Sequence, residues 1–228
     1  MSEYKITPIN KIIKIKTTIP KHMPQPIFRL AIYANSFSGK STLICNLLKK
    51  NKFGYNKYFG DNIFLFSKTI DADDTYDCLD LKPENIKNNV DIPFIEEMIN
   101  EQTENIKKYG KQHSPPCLLI FEDLVTDITN NDDILKRIFF QGRHFLFNII
   151  ITSQTYHALP KNFRLNTTHI VLYQLPDKDI KSIIDEISIS KKDLLDFYEE
   201  ATKEKYNFLY INLKDKKFYK NFEYELIA

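Results

Sequence analysis

The sequence contains few cysteines and no long apolar run. Its three cysteines, Cys45, Cys78 and Cys117, are odd in number and scattered, which predicts reduced thiols rather than a disulfide framework or a CxxC metal site. No apolar run reaches the roughly 18 residues that a membrane-spanning helix requires. The opening segment MSEYKITPIN lacks the charged-then-apolar layout of a signal peptide. We therefore expect a soluble, intracellular protein without a membrane partner.

Arginine is also scarce, because nearly all the basic residues are lysines. The net charge of +2 neither demands nor excludes a polyanionic partner. Arginine occurs only at Arg29, Arg137, Arg143 and Arg164. Lysine cannot reproduce the planar, bidentate contact that arginine makes with phosphate or carboxylate. Arg143 and Arg164, which flank one predicted strand, are therefore considered separately below.

The pattern of apolar residues predicts one α/β domain with a mostly parallel sheet and helices on both faces. We divide the chain into an N-terminal strand and proline-rich linker, residues 1–26, and a domain, residues 27–228. Apolar strands are predicted at 27–34, 62–67, 117–123, 147–154 and 169–175, and helices near 42–50, 93–108, 132–141 and from 177 to about 205. Strands of this continuous apolar kind are buried on both faces. The tail at 207–223 alternates like a terminal β-hairpin.

The strongest local signal is ANSFSGKST at 34–42, which fits G-x-x-x-x-G-K-[ST] except that Ala34 replaces the first glycine. A strand runs into this loop and a helix follows it, so its backbone N–H groups are suited to hold phosphates. Lys40 is predicted to reach the β- and γ-phosphates of ATP, and the Ser41 hydroxyl to hold Mg²⁺. The predicted nucleotide-binding residues are Ala34, Asn35, Ser36, Phe37, Ser38, Gly39, Lys40, Ser41 and Thr42.

A second signal is the acidic pair Glu122 and Asp123, which ends the apolar strand CLLIFED. Ligands of open α/β sheets lie at the carboxyl ends of the strands, where this pair is expected. Adjacent strand residues point to opposite faces, so the two acids cannot have the same role. By position we assign Glu122 to Mg²⁺ and Asp123 to the catalytic base, and the reverse assignment stays open.

The third signal is the segment 142–155, in which a buried strand ends in Thr152, Ser153 and Gln154. A strand between the two phosphate-site strands would bring Gln154 near the γ-phosphate as a sensor or water-positioning group. Arg143 precedes this strand and Arg164 follows it. Either is suited to act as an arginine finger on a neighbour's ATP, and structural ion pairing is the alternative for each.

Together these segments resemble the genome-packaging ATPases of nucleocytoplasmic large DNA viruses and virophages, within the HerA/FtsK superfamily. The resemblance covers residues 27–174, and its most specific part is GRHFLFNIIITSQTYHALPKNFRLNTTHIVLY. It implies a RecA-like P-loop fold of the ASCE type, with the sensor strand between the two phosphate-site strands. It also implies a homo-oligomeric ring, a pentamer or hexamer, that moves double-stranded DNA into a preformed capsid. Capsid proteins would then be further partners, and the virion or the host-cell cytoplasm its location.

Carried over to this sequence, the resemblance makes Lys40 and Ser41 the nucleotide site, Glu122 and Asp123 the magnesium and catalytic acids, and Gln154 the sensor. Arg143 becomes the preferred finger. The departures are Ala34 for the first glycine and Glu122 for the usual aspartate. A nucleoside or nucleotide kinase and an assembly ATPase that does not translocate DNA are the alternatives, although few arginines are available here for the lid of a kinase.

Overall fold

The strands form around the apolar segments that the sequence predicts. The structure, a computed structural model, describes residues 17–49, 52–70, 74–130, 132–187 and 190–227. Within these residues the strands are β1 (Arg29–Tyr33), β2 (Ile63–Ser67), β3 (Ile86–Lys87), β4 (Cys117–Glu122), β5 (Phe147–Ser153), β6 (His169–Leu172), β7 (Leu209–Asn212), β8 (Lys217–Lys220) and β9 (Tyr224–Leu226). They pair into a single sheet in the order β3-β2-β4-β5-β1-β6-β7-β8-β9.

The sheet has a parallel part and an antiparallel part. Strands β3, β2, β4, β5, β1 and β6 run parallel, and β7, β8 and β9 continue the sheet as antiparallel neighbours. Strand β5 lies between β4 and β1, which confirms the predicted insertion of the sensor strand between the two phosphate-site strands. The predicted C-terminal hairpin is the β7–β8 pair, and β9 is an additional strand beyond it.

Helices cover both faces of the parallel part, as predicted. They are α1 (Lys40–Leu48), α2 (Tyr55–Phe59), α3 (Ile92–Tyr109), α4 (Val125–Asn130), α5 (Asp132–Phe145), α6 (Lys161–Arg164), α7 (Asp177–Glu186) and α8 (Lys191–Thr202), with 3₁₀ turns at Asp74–Leu79 and Pro83–Asn85. The sequence did not predict the short elements α2, α4, α6 and β3. Elements this short cannot show a periodic pattern of apolar residues. Among the described residues, no helix has both the length and the apolar character needed to cross a bilayer.

The alternation of side chains along each strand divides the core into two clusters. Leu119 and Phe121 of β4 pack in one cluster with residues of α3 and α5, whereas Leu118 and Ile120 pack in the other with residues of α1. All six residues of β4 are buried, as expected for a strand that is covered on both faces. The carboxyl end of β4 is therefore rigidly supported from both sides.

The longest helix, α3, has defined ends. The Asp91 side chain accepts a hydrogen bond from the Phe94 N–H at 3.0 Å, which caps the N-terminus next to Pro93. At the other end Gly110 has a φ of 76° and its N–H bonds to the Ile106 carbonyl. These two signals explain why this helix is close to the predicted span.

The described part of the predicted linker packs on the domain. Met23 is fully buried and Ile19 nearly so, both in the cluster that includes α1. The hydroxyl of Tyr210 donates to the His22 carbonyl at 3.0 Å, and that of Tyr55 to the Pro24 carbonyl at 2.9 Å. The described residues of the predicted linker, 17–26, therefore pack against the core. The strand predicted near 11–17 lies, apart from its last residue, outside the described residues.

Candidate functional site

The loop between β1 and α1 has a backbone that turns sharply into the helix. Phe37 and Gly39 adopt positive φ angles of 60° and 94°. The Ala34 N–H donates to the Ser153 carbonyl at the end of β5, at 3.1 Å, and the Ala34 side chain is fully buried. A small residue fits this position, so alanine is compatible with the loop. The loop thus presents the N-terminus of α1 at the carboxyl edge of the sheet, the setting that suits an anion.

The Lys40 side chain is buried beneath this loop. Its ammonium donates to the carbonyls of Ala34 at 3.3 Å and Asn35 at 3.4 Å, and lies 3.7 Å from Oδ2 of Asp123. A buried ammonium needs such partners, because desolvation of an unpaired charge is costly. The structure therefore brings the loop lysine and the second acid of the predicted pair together.

The first acid, Glu122, faces the start of α1. The Ser41 hydroxyl donates to its Oε1, and the Ser67 hydroxyl, at the end of the neighbouring strand β2, donates to its Oε2 at 3.2 Å. Burial raises the pKa of the Glu122 carboxyl, and the bonds from Ser41 and Ser67 oppose that rise. The buried Tyr76 side chain lies beside the same carboxyl.

Asp123 follows the end of β4 in a left-handed backbone conformation, with a φ of 48°. Its N–H donates to Oγ1 of Thr152 at 3.0 Å, and that hydroxyl donates in turn to Oδ1 of Asp123 at 3.4 Å. Thr152 lies at the end of the adjacent strand β5. The sensor strand therefore holds Asp123 in place, and the two acids point to different neighbours as their alternation predicts.

These groups open into one cleft of about 1010 Å³ at the carboxyl edge of β1 and β4. The predicted site residues that line it are Ser36, Phe37, Ser38, Gly39, Lys40, Ser41, Thr42, Glu122 and Asp123. Ala34 and Asn35 precede these residues in the loop and do not line the cleft; Ala34 is buried, and the exposed Asn35 amide donates to the Gln174 carbonyl at 3.2 Å. We call the loop 34–42 with Glu122 and Asp123 the phosphate site.

Gln154 is the residue directly after β5. Its side chain is exposed, and it does not line the cleft as the described residues define it. The preceding residue, Ser153, accepts the hydrogen bond from Ala34 described above. Gln154 therefore lies at the same edge of the sheet as the phosphate site, while its predicted sensor role remains a prediction.

Arg143 lies at the opposite edge. It is in the last turn of α5, before the amino end of β5, and its exposed guanidinium donates to Nε2 of His144 at 3.4 Å. The pKa of Arg29, at the start of β1, is lowered mainly by burial and also by the positive charge of Arg143. The two arginines therefore lie near each other. Strand β5 spans roughly 20 Å at about 3.3 Å per residue, so Arg143 does not reach the phosphate site of its own chain.

Arg164 has a structural environment. Its side chain is 8% exposed, forms an ion pair with Glu186 at 2.9 Å and donates to the Leu159 carbonyl at 2.7 Å. Its guanidinium also lies over the Tyr156 ring, 4.5 Å from the centroid. These contacts favour the ion-pairing alternative for Arg164 and leave Arg143 as the exposed one of the two.

Sequence reasoning missed several residues of the site. Ser67 shows the same signal as Glu122, a polar residue at the end of an apolar strand, so it could have been predicted from the sequence. Tyr76 lies on a 3₁₀ turn without periodicity, so no pattern singled it out. An aromatic wall also lines the cleft, formed by Tyr173, Tyr206, Phe208 and Phe222.

Comparison with known protein families gives one match over most of the chain. The sequence profile of the family described as Poxvirus A32 protein matches residues 20–222. The "DNA packaging protein OPG160" of Variola virus is 27% identical over 179 residues, which are 74% of this chain and 62% of that protein. The protein of the same name from Monkeypox virus is also 27% identical and is covered to 55%. The chain thus spans less than two thirds of the length of these relatives.

Solved structures share the fold at low sequence identity. The genome packaging NTPase B204 from Sulfolobus turreted icosahedral virus 2 in complex with ATP-gammaS has a TM-score of 0.61 at 15% identity, with 86% of this chain and 98% of that chain covered. The AMP complex of B204 has a TM-score of 0.64 at 14% identity with the same coverage. EssC (ATPases 2 and 3) from Geobacillus thermodenitrificans has a TM-score of 0.53 at 13% identity, with 79% of this chain and 44% of that chain covered. The P-loop α/β fold is therefore shared with these proteins.

Proposed function

The chain belongs to the Poxvirus A32 protein family, and from that membership we propose that it is an ATP-driven motor that moves double-stranded DNA into a viral capsid. The observation that carries the proposal is the phosphate site. There Lys40, Ser41 and both acids converge on one cleft at the carboxyl edge of the sheet. The names of the relatives, which are DNA packaging proteins, support the choice of DNA as substrate.

The nucleotide is ATP, with its phosphates on the loop 34–42. Lys40 is already surrounded by two loop carbonyls and Asp123, so phosphate oxygens can replace these weak contacts without movement of the backbone. Its ammonium then neutralises charge that develops on the transferred phosphoryl group.

The residues present fit a magnesium ion. The Ser41 hydroxyl and the Glu122 carboxylate are hard oxygen donors in direct contact at the start of α1, and Mg²⁺ is commonly held by one or two protein oxygens together with phosphates and water. Magnesium bound there would neutralise phosphate charge. Ser67 would orient the Glu122 carboxylate, and Glu122 would therefore be the metal acid.

Asp123 is then the base that accepts the proton of the attacking water. It is partly exposed, borders Lys40 and is held by Thr152, so its carboxylate has both access to water and a fixed position. Gln154, one residue beyond β5, would orient that water. These roles, Glu122 for Mg²⁺ and Asp123 for the base, agree with the assignment made from position along the strand.

Arg143 acts on the ATP of a neighbouring subunit. Since it lies at the amino edge of its own sheet, it can complete a phosphate site only if the amino edge of one copy faces the carboxyl edge of the next. A head-to-tail contact of this kind closes into a ring, here of five or six copies. Phe140 and Leu165 are 38% and 64% exposed, and the Phe140 ring lies 6.3 Å from the ring of the buried Phe163. Exposed apolar side chains of this kind suit the core of an interface.

The DNA contacts are expected to be with the phosphate backbone. A motor must release its grip in each cycle, which favours backbone contacts over base contacts. Binding should then be indifferent to sequence and should weaken with salt at a log-log slope of about −0.9 per phosphate contacted. In this function the protein acts in the virion or the host-cell cytoplasm and meets capsid proteins at the entry site.

Steady-state hydrolysis of ATP tests this function. We expect turnover to rise with two duplexes of unrelated sequence and to lose that stimulation as salt increases. Single strands and nucleosides are the comparison substrates. Stimulation by a nucleoside with phosphate transfer to it would instead establish a kinase, and turnover that ignores every nucleic acid would establish an assembly ATPase.

A further inference from the structure

The aromatic wall touches the loop that holds the phosphates. A Cβ atom built on Gly39 would lie 3.6 Å from Cδ1 of Tyr206, so this ring is in van der Waals range of the loop. The Tyr173 hydroxyl donates to the Gly39 carbonyl at 3.4 Å. A nucleotide with its phosphates on this loop therefore has aromatic rings beside it.

Three rings of the wall, those of Tyr173, Phe208 and Phe222, form a continuous, buried stretch. The rings of Tyr173 and Phe208 lie 5.3 Å apart, and those of Phe208 and Phe222 lie 5.0 Å apart. Phe53, which follows α1, lines the same cleft and is only partly buried. The antiparallel part of the sheet thus contributes directly to the cleft whose phosphate groups come from the parallel part.

Tyr206 differs from the other members of the wall because it is exposed. Its side chain is 57% exposed at the mouth of the cleft, and its φ of 68° is unusual for a bulky residue. Its neighbours Tyr173, Phe208 and Phe222 are all nearly buried. Two rings that line the cleft are thus exposed to solvent, Phe37 on the loop itself, which is 97% exposed, and Tyr206 beside Gly39.

The amide side chains at this mouth are already paired. The Asn221 side chain accepts from the Phe208 N–H at 3.0 Å and donates to the Asn207 side chain at 2.7 Å. The Asn46 amide donates to the Thr42 carbonyl at 2.9 Å. Beyond these bonds Asn221 keeps one N–H, and Asn46 keeps one N–H and its Oδ1, so the two amides offer few groups to the edge of a base, whereas Tyr206 offers a ring face.

We propose that Tyr206 is the platform on which the purine base of the bound nucleotide stacks, and that the site therefore distinguishes poorly between adenine and guanine. This inference rests on the proposed nucleotide function and adds the base contact to it. Stacking on an aromatic ring tolerates any base, because every base has a π face. Strong discrimination needs hydrogen bonds to the base edge, and the two amides offer few groups for them.

Titration calorimetry of the full chain with ATPγS and with tripolyphosphate, which has no base, tests the platform. Tyr206→Ala should bind ATPγS about 5- to 150-fold more weakly, the range that loss of one stacked base gives. Tyr206→Phe should bind like the wild type, and tripolyphosphate should bind both variants and the wild type equally.

Tyr109→Ala is the matched control. Tyr109 is 49% exposed at the end of α3, away from the cleft, and its ring lies under Lys108 as the Tyr206 ring lies under Lys205. Equal ATPγS affinity in Tyr206→Ala and the wild type, or an equal loss for tripolyphosphate, overturns the platform. Failure of both probes to bind the wild type would instead overturn the nucleotide function itself.

Competition between ATP and GTP for the wild-type protein tests the selectivity. We expect the two dissociation constants to differ by less than about tenfold, since a ring face gives little purine specificity. A larger ratio, in either direction, overturns the inferred lack of discrimination.

Discussion

The carboxyl and amino edges of the parallel strands carry different chemistry. At the carboxyl edge, Lys40 and Glu122 are buried and hydrogen-bonded within one cleft. At the amino edge, Arg143 is exposed, and its guanidinium donates to the adjacent His144. One edge is therefore a nearly complete site, and the other presents an exposed cation. Under the proposed function, a single copy would bind nucleotide and a second copy would be needed for fast hydrolysis.

The largest effect is expected for Arg143→Ala, which removes the cation of the amino edge. An arginine finger supplies on the order of 10³ or more in rate, so the variant should bind ATPγS normally and hydrolyse ATP at least that much more slowly. Steady-state ATPase assays measure it. Arg137→Ala, on the same helix, is the control and should keep its activity.

Mixing subunits sharpens the comparison of the two edges. Arg143→Ala mixed with an excess of Asp123→Asn should regain activity, because a neighbour then supplies an intact Arg143 to an intact phosphate site. If mixtures that demonstrably co-assemble stay inactive, Arg143 does not act between subunits.

Lys40→Ala is expected to have the next largest effect, at the carboxyl edge. Removal of a charge-stabilising donor costs about 10²- to 10³-fold in turnover. The midpoint of thermal unfolding without nucleotide should change little, because Asp123 is one-third exposed and remains solvated when its partner is lost. Near-normal turnover in this variant would remove the basis of the proposed function.

Arg164→Ala tests whether this second arginine is structural. Loss of one partner of a buried ion pair costs about 3 to 5 kcal/mol of unfolding free energy, and Arg164 is 8% exposed against Glu186. Chemical denaturation measures it. Lys191→Ala removes the exposed pair with Asp185 and should cost about 1 kcal/mol or less. A stable Arg164→Ala protein without ATPase activity would instead make Arg164 the finger.

The smallest effect is expected for Thr152→Val, which keeps the shape of the side chain and removes both hydrogen bonds to Asp123. One hydrogen bond contributes about 0.5 to 1.5 kcal/mol, so turnover should fall roughly 2- to 10-fold. ATPγS affinity should not change. A fall in affinity with constant turnover would show that β5 supports the loop rather than the acid.

The phosphate site was predictable because its residues lie at the ends of apolar strands. The contacts that support the site, and the ring beside it, were not predictable. Glu122 ends a fully buried strand and Asp123 follows it, and the apolar run that ends in two acids is visible in the sequence alone. The bond from Ser67 to Glu122 depends on register, since these two residues are directly opposed across β2 and β4. No sequence pattern gives that register, and none separates Tyr206 from the other aromatic residues, which form 13% of the chain.

The order of the strands has a consequence for synthesis. Strand β1, which leads into the loop 34–42, pairs with β5 and β6, and the contacts at its start join residues 120 and 139 positions apart. Contacts between residues so distant in the chain form late, because the intervening chain must first be closed into a loop. We therefore expect the loop to lack a fixed shape on the ribosome until β6 has been translated and has left the exit tunnel. Nucleotide in the cell cannot assist the earlier steps of folding, and a chain that stalls before β6 exposes an unpaired, apolar β1 to aggregation.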